Sequence, residues 1–212
     1  MNEVILYFIR HGETLLNKLG SVQGWCGSPL TEEGCKSACS FHRSFKSLNI
    51  SAVYSSDLPR AYATAEIICQ GSHPIHKDSR IREWCLGSLE GTSAQELMDI
   101  IIKNSDLKAD ELNTHLPQVC KTIKALDKTS MAEHFDDITT RLLSFLKDIG
   151  DKWLDNNGNI IVVTHAFVIK TLIHLLDYNR LKDIGAIGNS SITIISYDGN
   201  IFRVKDVIDR FQ

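Results

Sequence analysis

The chain is predicted to fold as an α/β protein, a three-layer α/β/α sandwich around a mostly parallel, mixed sheet. Three observations predict it. Val4-Ile5-Leu6-Tyr7-Phe8-Ile9 is apolar throughout instead of alternating, the pattern of a strand covered on both faces. A second unbroken run, Ile160-Ile161-Val162-Val163, lies far downstream, with helix-like stretches between the two. Ile192-Thr193-Ile194-Ile195-Ser196-Tyr197 and Ile201-Phe202-Arg203-Val204 flank Asp198-Gly199-Asn200, a hairpin signal that places antiparallel pairing at one edge.

The elements follow in order. Val4 to Arg10 is the first strand, and the Gly-containing turn after it opens a helix. Pro29-Leu30-Thr31-Glu32-Glu33 starts another helix: Thr31 is placed to cap its free N–H groups, and the two glutamates suit the positive end of its dipole. Apolar or small residues at 35, 38, 39, 42 and 45 give that helix a buried face. Ala52-Val53-Tyr54-Ser55 is a second strand; Ser56 or Asp57 then caps a helix with Pro59 in its first turn, running through Arg60 to about Cys69. Ile75 to Lys77 reads as a short third strand and Ile81 to Gly91 as loop. Residues from about 93 to 133 lack a sustained period and are interrupted by Pro117; they read as helical insertions capping the crevice. Phe135, Ile138, Leu142, Phe145 and Ile149 mark a long amphipathic helix ending near Asn157-Gly158. The strand Asn159 to Thr164 and a helix from Ala166 to about Leu176 precede the hairpin. With no internal repeat, low-complexity tract or linker, residues 1–212 read as a single domain.

Composition narrows the function classes. A 43% hydrophobic and 23% charged chain is an ordinary soluble globular protein. A net charge of −3 argues against nucleic acid or an anionic membrane as partner, so any basic site must be local. No apolar run approaches the roughly 20 residues of a membrane span, and Met1-Asn2-Glu3 enters the first strand without a basic leader. Six cysteines without a Cys-x-x-Cys spacing read as reduced thiols, the expectation for a cytoplasmic protein. Cys35, Cys39 and His42 share a helical face that also carries Ala38 and Phe45; they read as small core residues and a packed histidine rather than as a metal site.

Ligands of open α/β sheets gather beyond the carboxyl ends of the strands. Arg10 and His11 follow the first strand there, Arg60 the second, and His165 the late one. A helix N-terminus favours an anion, and arginine adds a planar fork matching two phosphate oxygens. Two histidines and two arginines at strand ends therefore point to a phosphate-handling crevice.

At these residues the sequence resembles the histidine phosphatase superfamily, the phosphoglycerate mutase-like family, over nearly its whole length. The matching motifs are Arg10-His11-Gly12-Glu13-Thr14 with Asn17, then Gln23-Gly24, then Pro29-Leu30-Thr31-Glu32-Glu33-Gly34. Further on come Ser56-Asp57-Leu58-Pro59-Arg60-Ala61-Tyr62-Ala63-Thr64-Ala65, Arg82 to Gly91, and Val162-Val163-Thr164-His165. The resemblance implies a phosphoglycerate mutase-like fold and metal-independent, cofactor-free phosphoryl transfer. It implies His11 as nucleophile, Arg10, Arg60 and His165 as the clamp on the transferring oxygens, and Glu83 as acid and then base. Thr14, Asn17, Gln23, Gly24 and Ala166 would contact substrate or phosphate. Glu13 and Glu90 are rival carboxylates, Glu13 being placed in a helix first turn as a structural group.

The chain departs from the family's pattern at Ala166-Phe167, where Gly-Gly is usual, at Ala132-Glu133-His134, where Gly-Glu-Ser is usual, and at Gly27. Phe167 either narrows the pocket or packs beneath it; His134 is a surface or capping group, with substrate contact the alternative. The acid is followed by Trp84-Cys85-Leu86-Gly87 and no Arg-Arg pair occurs, which favours a phosphatase acting on a small phosphorylated metabolite over a mutase. A non-catalytic phospho-ligand sensor is the reading from another class. Lys121, Lys124 and Lys128 read as one solvated helix side. The terminal hairpin could pair two copies, so monomer and homodimer both stand.

Overall fold

The computed structural model describes residues 2–45 and 48–208; Met1 lies outside the described residues. Its strands are β1 (Val4–Arg10), β2 (Ile50–Ser55), β3 (Ile75–Lys77), β4 (Asn159–Thr164), β5 (Ile192–Tyr197) and β6 (Phe202–Ile208). They form one sheet in the order β3-β2-β4-β1-β5-β6. β1 pairs in parallel with β4, β4 with β2 and β2 with β3. β5 runs antiparallel to β1 and to β6, so the sheet is mixed at one side, as the hairpin signal requires.

Helices α1 (Leu15–Lys18), α2 (Glu32–Phe45), α3 (Pro59–Cys69), α4 (Ala94–Lys103), α5 (Leu116–Leu126), α6 (Phe135–Trp153), α7 (Ala166–Leu176) and α8 (Tyr178–Asp183) complete the fold. The pleat sorts the apolar runs between two cores. Val4, Leu6 and Phe8 of β1, with Ile160 and Val162 of β4, face a core filled from α4 to α8. Ile9, Ile161 and Val163 face the other, filled by Phe41 and Phe45 of α2 and Ala61, Ala65 and Ile68 of α3. Burial on both faces is why these strands read as continuous rather than alternating.

Several local expectations are corrected. The buried face of α2 is Gly34, Ala38, Phe41 and Phe45, with Cys35 half-buried and Cys39 exposed. Placing two phenylalanines on the sheet buries more apolar area than two cysteines would, and this sets the rotation of the helix. His42 Nδ1 meets the Ile68 carbonyl at 2.9 Å. Neither Ser56 nor Asp57 caps α3: Leu58 holds that position with no side-chain cap, and Pro59 has no N–H needing one. Asp57 is instead drawn to Arg82 at 2.7 Å. Thr31 does cap α2, accepting from Gly34 N at 3.0 Å. Residues 81–91 include a 3-10 turn at Gly87–Leu89, and a second, Ser79–Ile81, ends on their first residue. The segment 93–133 is helical, with α4, α5 and a 3-10 turn at Ala109–Glu111. Glu13 lies before α1 rather than in its first turn, and Thr31 Oγ1 donates to its carboxylate at 2.7 Å.

Two motif glycines are explained by a backbone contact. A Cβ on Gly12 would stand 2.6 Å from the Gly34 carbonyl, and one on Gly34 would stand 2.2 Å from the Glu13 carbonyl. The turn after β1 therefore presses directly on the start of α2, with no room for a side chain at either position.

Candidate active site

Parallel pairing brings three strand tips to one edge. Arg10 stands opposite Thr164, and Ser55 opposite Val163. The ladder continues one step further, with His11 N donating to Thr164 O at 3.0 Å and Ser56 N to Val163 O at 2.9 Å. Arg10-His11, Ser56 and His165 consequently emerge side by side, and the two imidazoles face each other with centroids 5.2 Å apart. A cavity of about 310 Å³ opens here, lined by Arg10, His11, Asn17, Gln23, Glu83, Ala166, Phe167 and Asn189 among others.

The hydrogen bonds fix the state of His11. Arg60 Nε, which can only donate, approaches His11 Nε2 at 3.1 Å, so Nε2 carries the lone pair. The ring proton then sits on Nδ1, which donates to the Gly12 carbonyl at 2.8 Å. Burial, Arg60 and Arg10 hold the pKa of His11 well below the ordinary histidine range, so the imidazole is neutral. His165 is fully buried and likewise held neutral, by burial first and then by Arg60, His11 and Arg10. Its Nε2 meets Ser56 Oγ at 2.9 Å.

The arginines are held differently. Arg60 is almost fully buried, and its Nη atoms donate to the carbonyls of Gln23, Gly24 and Cys26 at 3.4, 2.7 and 2.7 Å. Arg10 Nη1 donates to Ile187 O at 2.6 Å. Burial brings the Arg10 pKa down to about 10, against the pull of Glu83. Arg10 Nε and His165 Nδ1 are buried with no hydrogen-bond partner. Orphaned buried donors are rare and costly, and two in one cationic crevice match the oxygens of a bound anion.

Glu83 is seated on the N-terminus of α7. Its Oε2 accepts from Phe167 N at 3.1 Å, and its Oε1 from Val168 N at 3.2 Å and Trp84 N at 3.0 Å. Burial raises its pKa, and the amides and arginines oppose that only in part. A buried carboxyl with a raised pKa, lining the same crevice as the neutral His11 imidazole, keeps its proton to a higher pH than an exposed carboxyl would.

The backbone around Glu83 is clamped by Arg141 of α6. Arg141 Nη1 donates to Arg80 O at 2.7 Å and Arg82 O at 2.6 Å, and its Nη2 to Glu83 O at 3.1 Å. The same guanidinium grips Glu133 at 2.8 and 3.0 Å, and Glu133 in turn accepts from Cys85 N at 3.0 Å. Trp25 Nε1 adds a bond to Glu83 O at 2.9 Å.

The structure thus brings together Arg10, His11, Arg60, Glu83, His165, Asn17, Gln23 and Ala166. Thr14 is fully buried, caps α1 and accepts from Gln23 Nε2 at 2.6 Å. The Gly24 amide is engaged by Glu90 at 2.8 Å. Glu90 also takes the amides of Trp25, Cys26 and Leu86, which makes it the carboxylate that shapes the loop. Phe167 both lines the cavity and stacks on Trp84 at 4.8 Å, so the two readings of it hold together. His134 stands at the cap position of α6 and lines a separate groove with Lys121 and Lys124. Arg141 and Asn189 escaped the sequence reading, and Glu133 entered it only within Ala132-Glu133-His134, without a role. Asn189 Nδ2 donates to His11 O at 3.1 Å and to Asn17 Oδ1 at 3.2 Å across more than 170 residues, and no local pattern signals that. Among the described residues no group of three or more His, Cys, Asp or Glu could hold a metal ion, and no helix is long and apolar enough to cross a membrane.

Known proteins of similar sequence and fold identify the family. The model of the histidine phosphatase superfamily (branch 1) matches residues 6–210. The chain is 30% identical over 205 residues to phosphoglycerate mutase-like protein 4 of Arabidopsis thaliana, covering 93% of this chain and 81% of that one. The crystal structure of a phosphoglycerate mutase from Bacillus anthracis str. Sterne matches with a TM-score of 0.90 and 30% identity, covering 99% of this chain and 94% of that one. The phosphoserine phosphatase of Entamoeba histolytica, solved in complex with 3-phosphoglyceric acid, matches with a TM-score of 0.74 and 26% identity, covering 97% and 96%.

Proposed function

Because the chain belongs to the histidine phosphatase superfamily, branch 1, we propose that it is a phosphomonoester hydrolase working through a phosphohistidine on a small phosphorylated metabolite. The observation that carries this reading is the state of His11: neutral, with its proton on Nδ1 and its Nε2 lone pair aimed into a crevice of buried cations.

In the first step His11 Nε2 bonds to phosphorus, the ester P–O bond breaks, and Glu83 gives its proton to the leaving oxygen. Arg60 Nε turns its hydrogen bond from the imidazole to a phosphoryl oxygen, while Arg10 Nε and His165 Nδ1 supply the donors that lack partners. A donating Nδ1 on His165 needs Nε2 to accept, and the Ser56 hydroxyl is placed to donate to it. In the second step the Glu83 carboxylate takes a proton from water. The resulting oxygen attacks phosphorus, the P–N bond breaks, and phosphate leaves with His11 neutral again. Asn17, Gln23 and Ala166 line the phosphate seat, while Thr14 and Gly24 lie behind it, Thr14 accepting from Gln23 and the Gly24 carbonyl accepting from Arg60.

Trp84-Cys85-Leu86-Gly87 after the acid and the absence of an Arg-Arg pair support hydrolysis over mutation. The mutase-named relatives favour phosphoglycerate isomerisation as a second reading. The test is turnover of p-nitrophenyl phosphate and, separately, of 3-phosphoglycerate with its bisphosphate primer. Hydrolysis without isomerisation is expected, and His11→Ala is expected to fall below about a hundredth of wild-type rate. Efficient isomerisation would establish the mutase instead, and no turnover of any phosphoester would leave a sensor.

A further inference from the structure

Asn189 lines the crevice, yet the chemistry above does not use it. It belongs to the turn 187–191 that leads into β5, and that turn is wrapped around Arg10. Arg10 Nη1 donates to Ile187 O at 2.6 Å, Ser190 N to Arg10 O at 3.2 Å, and Arg10 N to Ser191 O at 3.2 Å. Ser190 holds a left-handed backbone with a φ of 59°, which a residue bearing a β-carbon keeps only where its surroundings impose it. Its Oγ meets Ser37 Oγ of α2 at 2.7 Å. The turn is therefore held from both sides, and Asn189 is delivered to a fixed place beside the nucleophile.

Donor and acceptor chemistry settles how two amides stand there. The His11 carbonyl can only accept, so the Asn189 atom 3.1 Å from it is Nδ2. The second proton of that Nδ2 is directed at Asn17 Oδ1, 3.2 Å away. Asn17 Oδ1 also accepts from Thr14 N at 3.2 Å and from Thr14 Oγ1 at 3.0 Å. A hydroxyl can donate or accept, so Thr14 Oγ1 does not choose between the two orientations of the Asn17 amide. Thr14 N and Asn189 Nδ2 do choose, since a reversed amide would set N–H against N–H at both. Asn17 Nδ2 is then the atom left for the crevice that this residue lines, and among the described residues it has no hydrogen-bond partner.

We propose that Asn189 is a positioning residue that acts through Asn17. Anchored on the His11 carbonyl, it occupies Asn17 Oδ1 and so presents Asn17 Nδ2 as a donor to the phosphoryl group. The inference rests on the phosphoryl seat assigned above and adds to it a group that need not touch the substrate. It also ties the seat to the far end of the chain: the side chain that aims a residue of α1 comes from the turn before β5.

The test is calorimetric binding of orthophosphate to wild type, Asn17→Ala, Asn189→Ala and the double variant. Asn17→Ala is expected to weaken binding about tenfold, the worth of a hydrogen bond to an anion. Asn189→Ala is expected to weaken it about fivefold in the presence of Asn17, and by less than about twofold in Asn17→Ala, where no amide remains to be aimed. A turn that served stability alone would weaken both backgrounds by the same factor. Asn189→Ser carries the same comparison if Asn189→Ala fails to fold. Equal factors in the two backgrounds, or unchanged binding in either single variant, overturn the positioning role. Hydrolysis of p-nitrophenyl phosphate is read separately: coupled binding without turnover keeps Asn189 in its role and removes the phosphatase, whereas a wild type that binds no orthophosphate removes the phosphoryl seat and the role with it.

Discussion

Replacing Arg141 by methionine is expected to loosen the backbone that presents Glu83. The guanidinium makes five hydrogen bonds, three to the carbonyls of Arg80, Arg82 and Glu83 and two to the Glu133 carboxylate. Each carbonyl that loses its donor costs about 1 kcal/mol. Glu133, whose side chain is 13% exposed, would lose its bidentate partner as well. Breaking such a pair from one side costs about 3–5 kcal/mol by itself in a fully buried setting. A combined loss of about 4 kcal/mol is a reasonable figure at this exposure, and at this chain length it lowers the melting temperature by roughly 10 °C. The assay is thermal unfolding of wild type, Arg141→Met, Glu133→Gln and the double variant. The double variant is expected to regain part of the loss, since the unpaired charge is gone. An Arg141→Met melting temperature within about 2 °C of wild type, or strictly additive losses, would refute the clamp. In kinetics the same variant should lose more rate on alkyl phosphates than on p-nitrophenyl phosphate, because protonation of the leaving oxygen depends on where Glu83 sits.

Two further outcomes follow from the titrating groups. Glu83→Gln is expected to slow alkyl phosphate hydrolysis by about a hundredfold or more and p-nitrophenyl phosphate hydrolysis by less, since that leaving group needs no proton and only the attack of water on the phosphohistidine still calls for the base. In wild type, activity on alkyl esters should decline as pH rises through the raised pKa of Glu83, while the acid limb falls below the ordinary histidine range because His11 stays neutral there; pH profiles of kcat/KM for both substrates check this. For stability, His11 and His165 have folded pKa values below their unfolded ones, so their contribution is complete above about pH 6.5 and is lost as pH falls. Glu83, with a raised pKa, has the opposite sign. Denaturant titrations from pH 7 to pH 5 should therefore show His165→Gln losing less stability than wild type, by about 1 kcal/mol per pH unit. Parallel pH dependences of the two proteins would contradict the neutral burial of His165.

The legible parts of the fold are those where one local pattern suffices. Val4 to Ile9 and Ile160 to Val163 announce doubly covered strands, and the turn chemistry of Asp198-Gly199-Asn200 announces the hairpin. The core of the site was legible for a related reason: His11, Arg60 and His165 follow strands, and parallel pairing must gather strand tips. What escaped depends on partners distant in sequence. The rotation of α2 is decided by which side chains fill the sheet face, and Phe41 outweighs Cys39. Ser56 and Asp57 read as caps, but His165 and Arg82 claim them. The helix α8 carries six residues with one buried side chain, Leu181, too little to show a period. Arg141 and Asn189 look like ordinary polar residues until the fold sets them against backbone carbonyls.

The tethering of Arg60 bears on how tightly an anion can be held. Its side chain is locked across the carbonyls of Gln23, Gly24 and Cys26 before any ligand arrives. A free arginine forfeits up to about 2 kcal/mol of rotamer entropy when it grips a ligand. Here that freedom is surrendered during folding, so the cation meets its guest already aimed, and the rigidity of the 23–26 loop becomes a determinant of affinity.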